Sequence, residues 1–248
     1  DFAMTDEERY ELYIAAWLHD CGKVATPPHV VDKGTKLETI FDRIELIKTR
    51  MELLKRDAEI AFLKRQLNGV VEKEYDAKYR ESIEQIDEDI QFIEQCNVGG
   101  EYMEEALQSR IKSIGSTQIT INNKTQNLLT DDEISNLNIA KGTLTPEERE
   151  IINDHIAITI EMLEQLPYPK NLRNVPEFAG GHHEKLDGTG YPKGLNDSQM
   201  STQAKIMAIA DIYEALTAAD RPYKDGKKLS QAMRCLLYTS PSPRDSTL

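Results

Sequence analysis

Four places along the chain put imidazoles and carboxylates where they could share a metal ion. The first is His19-Asp20-Cys21-Gly22-Lys23. Adjacent His and Asp at a helix end can set both groups on one ion, or let the carboxylate bridge two. Imidazole suits Fe, Mn or Zn, and bridging carboxylates suit hard, multiply charged pairs. The second is His155, on the apolar face of an expected helix. The third is His182-His183-Glu184 after Gly180-Gly181. Consecutive histidines point in different directions, so they could serve two ions in one site. The fourth is Asp211, inside Ile206-Met207-Ala208-Ile209-Ala210-Asp211-Ile212-Tyr213, a segment apolar nearly all round. Burying an unpaired carboxylate costs on the order of several kcal/mol, so Asp211 needs a cation or strong donors.

Each feature alone has a plainer reading. His19-Asp20 is then a surface pair and His155 a core histidine bonded to a backbone carbonyl. His182-His183 is then an exposed loop pair, and Asp211 the partner of a buried Arg or Lys. What argues for chemistry is their joint occurrence in one chain.

The elements that must position these groups read as helices. Residues 6–20 form one, with Thr5 as N-cap and Leu12, Ala15, Ala16 and Leu18 as apolar positions; Gly22 and Pro27-Pro28 stop it. Leu37, Ile40, Ile44, Ile47, Met51, Leu54, Ala58 and Ala61 then make a heptad seam, an arm of about 45 Å at ~1.5 Å per residue. After Asn68-Gly69 the spacing resumes at Tyr75, Tyr79, Ile83, Ile86, Ile90 and Ile93, which predicts an antiparallel helical hairpin. Residues 101–114 are a further helix, and a short hairpin around Asn122-Asn123 is one reading of the polar stretch from Gly115 to Leu129. Thr130 to Glu133 and Thr145 to Glu148 are capping boxes. The second starts a helix with Ile151, His155, Ile158, Met162 and Leu166 on one face. A Gly/His/Pro-rich loop covers 180–194, and Ser201 or Thr202 caps an apolar helix through Ala219. The expected fold is all-α.

Composition narrows the partners. The 248 residues carry a formal net charge of -13, with 39% hydrophobic and 29% charged residues. Bulk electrostatics therefore exclude nonspecific DNA binding, and an anionic substrate needs local cations. Cys21, Cys96 and Cys235 form no CxxC pair, which fits a reducing, cytoplasmic compartment rather than a disulfide framework. No apolar run of roughly 18 residues spans a bilayer and no signal-peptide pattern is present, although a longer parent chain could be membrane-anchored. The stretch from Cys235 to Leu248 is rich in Ser and Pro. It resembles translated adapter read-through, or else a natural linker, and residues 235–248 are set aside as a non-native or disordered tail.

Together the motifs resemble the HD-GYP family, a branch of the HD-superfamily phosphohydrolases. His19 to Lys23 matches its HDxGK motif. His182 to Glu184 with Gly190-Tyr191-Pro192 matches HHExxDGxGYP. Ala210 to Thr217 and Arg221-Pro222-Tyr223-Lys224 match the ADxxDALTxxRPYK stretch. The likeness covers residues 7–34 and 140–233. It divides the chain into a catalytic core (1–34 and 140–234) interrupted by a coiled-coil-like helical insertion (35–139). Two features depart from the pattern: Glu214 stands where many members have Asp, and Arg221 falls one residue late relative to Asp211. A third departure is that members take a further His ligand from a helix upstream of HDxGK, so this chain is expected to bind metal weakly and turn over slowly.

The resemblance implies a helical HD bundle hydrolysing cyclic di-GMP or a related cyclic dinucleotide to linear pGpG and onward to GMP. It implies two or three divalent ions, Fe or Mn, held by His19, Asp20, His155, His182, His183 and Asp211, with Asp20 as bridge. Lys23, one helical turn from Asp20, could stabilise phosphoryl charge. Arg221 and Lys224 would grip phosphate or guanine, and Gly190, Tyr191 and Pro192 would shape the pocket mouth. Two rivals are a module that binds the dinucleotide without cleaving it, and an HD phosphohydrolase for another nucleotide. Expected partners are an upstream sensory domain and a second copy joined through the insertion.

Overall fold

The computed structural model describes residues 3–68, 73–100, 102–218 and 226–239. In chain order the helices are α1 (Asp6–Leu18), α2 (Pro28–Val31), α3 (Ile44–Leu67), α4 (Lys73–Asn97), α5 (Glu105–Gly115), α6 (Asp131–Leu137), α7 (Pro146–Asn153), α8 (His155–Glu164), α9 (Val175–Gly180), α10 (Thr202–Thr217) and α11 (Leu229–Thr239). Among the described residues the two strands are β1 (Gln118–Ile121) and β2 (Lys124–Asn127), an antiparallel pair. The fold is all-α apart from that hairpin. Asn122 and Asn123 both have positive φ, the left-handed conformation a two-residue hairpin turn demands. No described helix is long and apolar enough to cross a membrane.

The chain forms two compact units, residues 1–31 with 146–248, and residues 32–145. The first holds every candidate ligand. Its core is Ala15, Leu163, Val175, Phe178 and Ala179, joining α1, α8 and α9. α1 opens on the expected capping box: Thr5 Oγ1 accepts from the Glu8 amide at 3.2 Å, and Glu8 Oε2 accepts from the Thr5 amide at 2.8 Å. Such a cap contributes about 1 kcal/mol. Glu11, buried on the same helix, accepts from the Asn174 amide at 2.6 Å and from its side chain at 3.2 Å, tying α1 to the start of α9.

The single helix expected from Thr145 to Leu166 is instead two, α7 and α8, broken at Asp154. The buried face shifts with the break. His155, Ile156, Thr159 and Leu163 are buried, whereas Ile151, Met162 and Leu166 are exposed. α11 runs to Thr239 with Ala232 and Leu236 buried, so the helix continues past the boundary drawn at 234.

In the second unit α3 and α4 pack antiparallel. Lys48 pairs with Glu94 at 2.9 Å, Lys55 with Asp87, and the Phe62 ring stacks on Tyr79 at 4.6 Å. Ile47, Met51 and Ile93 are buried in the seam. The helix begins at Ile44 rather than Leu37, which shortens the arm from about 45 Å to about 36 Å for 24 residues. Polar side chains hold residues 34–44 in turns instead. Gly34 N donates to Glu38 Oε2 at 2.7 Å, Thr35 Oγ1 to Asp42 Oδ2 at 2.8 Å, and Ile44 N to Asp42 Oδ1 at 2.9 Å. Leu37 is buried there all the same, while Ile40 points into solvent. Thr143 donates to the Lys33 carbonyl at 3.1 Å, so the two ends of this unit meet.

Candidate metal centre

Three histidines are aimed by the same local device. His19 follows the last residue of α1, His182 follows α9 by two residues, and His155 follows α7 by two. The last carbonyls of a helix lack partners within it. Each ring fills one such place with Nδ1, which approaches the carbonyl three residues back: Ala16 O at 2.7 Å for His19, Ala179 O at 2.5 Å for His182, and Ile152 O for His155. A carbonyl can only accept, so Nδ1 carries a proton in each ring and Nε2 is the nitrogen left facing inward, a ligand atom whenever the ring is neutral. The C-terminal ends of α1 and α9, with negative dipole character, thereby sit beside the rings of His19 and His182, whereas His155 lies at the junction of α7 and α8.

Asp20 lies among these rings. Its Oδ1 lies 3.1 Å from His155 Nε2 and 3.9 Å from His182 Nε2. Its Oδ2 lies 3.4 Å from His19 Nε2 and 2.6 Å from Lys23 Nζ. His183 completes the group, its ring 4.4 Å from that of His182 and 5.4 Å from that of His155. Ligand atoms of His155, His182 and His183 lie within 4.8 Å of one another, and so do those of His19, Asp20 and His182.

Glycine makes this convergence possible. A Cβ on Gly22 would come within 2.0 Å of the His155 carbonyl and 2.6 Å of Thr159 Oγ1. Without one, the short 3-10 turn Cys21–Ala25 lies against α8, and the Gly22 amide donates to Thr159 Oγ1 at 2.9 Å. The HDxGK motif thereby brings Asp20 to His155 across 135 residues of sequence.

Electrostatics hold the donors in ligand form. Burial would raise the Asp20 carboxyl. Hydrogen bonding from His155 when protonated and from Lys23, with the charges of Lys23 and His19, outweighs that and keeps it well below the usual carboxylate range. Burial pushes His183 down to about 3, with His182 and His155 adding to the effect. Burial also lowers His182. A neutral His182 and an ionised Asp20 thus present lone pairs to each other. His155 Nε2, His182 Nε2 and Asp20 Oδ1 are buried with no hydrogen-bond partner. One imidazolium at His155 could answer one contact but not all of them. A metal cation answers all of them, and neutral imidazoles with an anionic carboxylate are its usual donors. The residues fit a metal.

Asp211 reaches the centre differently from the expectation. Its side chain is one-quarter exposed rather than buried, and Ile209, Ile212 and Tyr213 beside it are exposed. The desolvation argument for a cation at Asp211 therefore fails. Its place rests on geometry: Oδ1 lies 3.8 Å from His19 Nε2 and lines the same cleft. That cleft, about 600 Å³, is bounded by His19, Asp20, Lys23, His183, Asp211 and Glu214 among others.

Gly190, Tyr191 and Pro192 sit beside the centre. Tyr191 stacks on His183 at 4.9 Å, and with Pro192 lines a separate cleft against Glu150, Asn153 and Asp154. Gly190 has no room for a side chain, since a Cβ would lie 2.3 Å from the Lys185 amide nitrogen. Glu184, whose role was not read from sequence, is the loop's clamp. It is buried and accepts from the Lys193 amide at 2.7 Å and the Leu195 amide at 2.8 Å. Thr159 was also missed, because nothing in a helical Thr announces a turn 137 residues away. Arg221 and Lys224 lie outside the described residues.

Residues 130–247, just under half of the chain, match the family model described as HD domain. The chain is 38% identical over 105 residues to a 3'3'-cGAMP-specific phosphodiesterase of Vibrio cholerae, covering 41% of this chain and 22% of that protein. It is 41% identical over 93 residues to a cyclic di-GMP phosphodiesterase of Thermotoga maritima, covering 38% of this chain and 25% of the relative. A cyclic di-GMP phosphodiesterase response regulator of Xanthomonas campestris is 35% identical over 95 residues, with 38% and 25% covered. The matched part thus spans a quarter or less of each relative. Over residues 130–247 the chain is similar to the HD domain family.

Proposed function

We propose that the chain hydrolyses a cyclic dinucleotide, cyclic di-GMP or 3'3'-cGAMP, to the linear dinucleotide and onward to mononucleotides. The observation that carries this reading is the set of inward Nε2 lone pairs around an ionised Asp20 at the floor of an open cleft. His155, His182 and His183 would hold one ion and His19 and Asp211 a second, with the two oxygens of Asp20 shared between them. Fe or Mn suits this donor set. When bound, such ions neutralise phosphoryl oxygens and acidify a water for attack on phosphorus.

The protein's own groups do the rest. Asp20 stays ionised across the working range and, through Lys23, keeps one cation at the cleft wall. Lys23 would turn toward developing negative charge on the phosphoryl oxygens. His19, His155 and His182 are held in one tautomer by backbone carbonyls, so no reorganisation is needed when a ligand arrives. Arg221 and Lys224 would contact phosphate or guanine, and Tyr191 would border the entrance. Residues 35–139 would be an insertion into this core, a reading supported by the meeting of the unit's two ends at Lys33 and Thr143. We assign the chain a cytoplasmic setting, an upstream sensory segment, and self-association through the insertion.

The test is incubation of the Mn(II)- or Fe(II)-loaded protein with cyclic di-GMP, 3'3'-cGAMP and linear pGpG, followed by chromatography. Linear products formed only with metal support the proposal. Saturable binding without turnover would favour the non-cleaving module, and turnover of other nucleotides alone would favour a different HD phosphohydrolase.

A further inference from the structure

The second unit contains a buried cation that the candidate metal centre does not use. Lys36 is 2% exposed. Its Nζ donates to the Leu137 carbonyl at 3.0 Å and has the Met103 thioether at 3.9 Å as a second, weak acceptor. An ammonium has three donors to place, and burying it is unfavourable unless it is paired. Among the described residues no carboxylate lies within ion-pair distance of it. Burial lowers its pKa, and the Cys96 thiol nearby opposes that shift.

Lys36 also lines a cavity of about 270 Å³, with Phe92, Cys96, Met103, Leu107 and Ala140 among its walls. The cavity is open on one side, where Val98, Tyr102 and Leu107 are exposed. A pocket with largely apolar walls, one polar wall at Gln95, a buried ammonium and Tyr102 at its mouth has the make-up of a small-ligand site. Among the described lining residues Lys36 is the charged group, and it determines the ligand's charge.

We propose that this pocket binds a small organic carboxylate with a short apolar chain, its carboxylate paired with Lys36 and its chain laid against Phe92, Met103 and Leu107. The pairing would use the ammonium donors that the thioether serves poorly. It would also offset the cost of a buried cation that has no counter-charge among the described residues. Sulfur, aromatic and aliphatic walls select for apolar length rather than for further polar groups. This site is separate from the metal centre in its residues, so its test does not depend on hydrolysis.

The experiment is calorimetric titration of the whole chain with butanoate, hexanoate and octanoate, using hexanol as the neutral probe. Hexanoate is expected to bind saturably, and Lys36→Met to weaken it at least tenfold while leaving hexanol binding unchanged. Lys36→Met should raise the melting temperature of the ligand-free protein, which shows that the variant folds. No saturable heat with any carboxylate on the wild-type chain would overturn the proposal. So would equal hexanoate affinity in wild type and Lys36→Met.

Discussion

His19, His155 and His182 each have one nitrogen committed to a helix-end carbonyl and the other turned inward, and that asymmetry decides what the residues can do. The lowered His182 and His183 offer lone pairs beside an ionised Asp20 to a cation, and protons compete for the same places. Folding holds His182 and His183 below their ordinary pKa, with His183 at about 3. The unfolded chain takes up protons at these rings near pH ~6.5, so it binds more protons than the folded one as pH falls below that value. Stability of the chelator-treated protein should therefore drop between pH 7.5 and 5. Asp20, held low, adds a loss of the same sign only below about pH 4. Melting temperature against pH checks this, and His183→Gln should flatten the slope; a flat wild-type profile would contradict it. Lys23→Met should keep metal content and lower kcat by ~10²-fold, the scale of removing one preorganised charge-stabilising donor. Residue types and order singled out His19, Asp20, His155, His182 and His183, which the structure brings together. Asp211 was picked out for a wrong reason, because apolar neighbours in sequence do not guarantee burial when Ile209 and Ile212 face solvent.

Elements position these residues through contacts too close for side chains. Gly22→Ala would drive a methyl into the His155 carbonyl and Thr159. It should destabilise the fold by ~1–3 kcal/mol, as overpacking does, and disturb metal affinity with it. Denaturant unfolding measures the first, and an unchanged midpoint would show that the turn does not press on α8. Glu184→Ala leaves the Lys193 and Leu195 amides without their acceptor, at a cost of ~1–3 kcal/mol, and should raise hydrogen exchange at residues 190–195. Caps and punctuation made Thr5, Thr130 and Ser201 readable as helix starts, because capping is local chemistry. The break at Asp154 was not readable. Periodicity continues through it, and only the demand that His155 point inward separates α7 from α8. The loss of helix before Ile44 was hidden for a related reason: Glu38 and Asp42 form turns with the backbone, while Leu37 keeps its place in the hydrophobic pattern.

At the scale of the whole molecule, all candidate ligands belong to one compact unit, and residues 32–145 form another with its own core. Replacing residues 34–142 by a short glycine linker should leave metal content unchanged, because Lys33 and Thr143 already meet. Loss of the folded core in that variant, seen by circular dichroism, would show that the two units fold as one. In sequence the chain changes near residue 35 from His- and Asp-bearing motifs to heptads, whereas the core joining α3 to α6 depends on long-range packing that no local pattern encodes. The central claim is that the converging rings and Asp20 form a metal centre. Elemental analysis after loading with Mn(II) or Fe(II) and desalting tests it, with the wild-type chain beside Asp20→Asn and His183→Ala. The account predicts measurable bound metal for wild type, short of the two ions of a complete two-metal hydrolytic site because the chain is expected to bind metal weakly, and clearly less still in both variants at unchanged helical content. Equal metal in all three proteins, or none in the wild type, would contradict it.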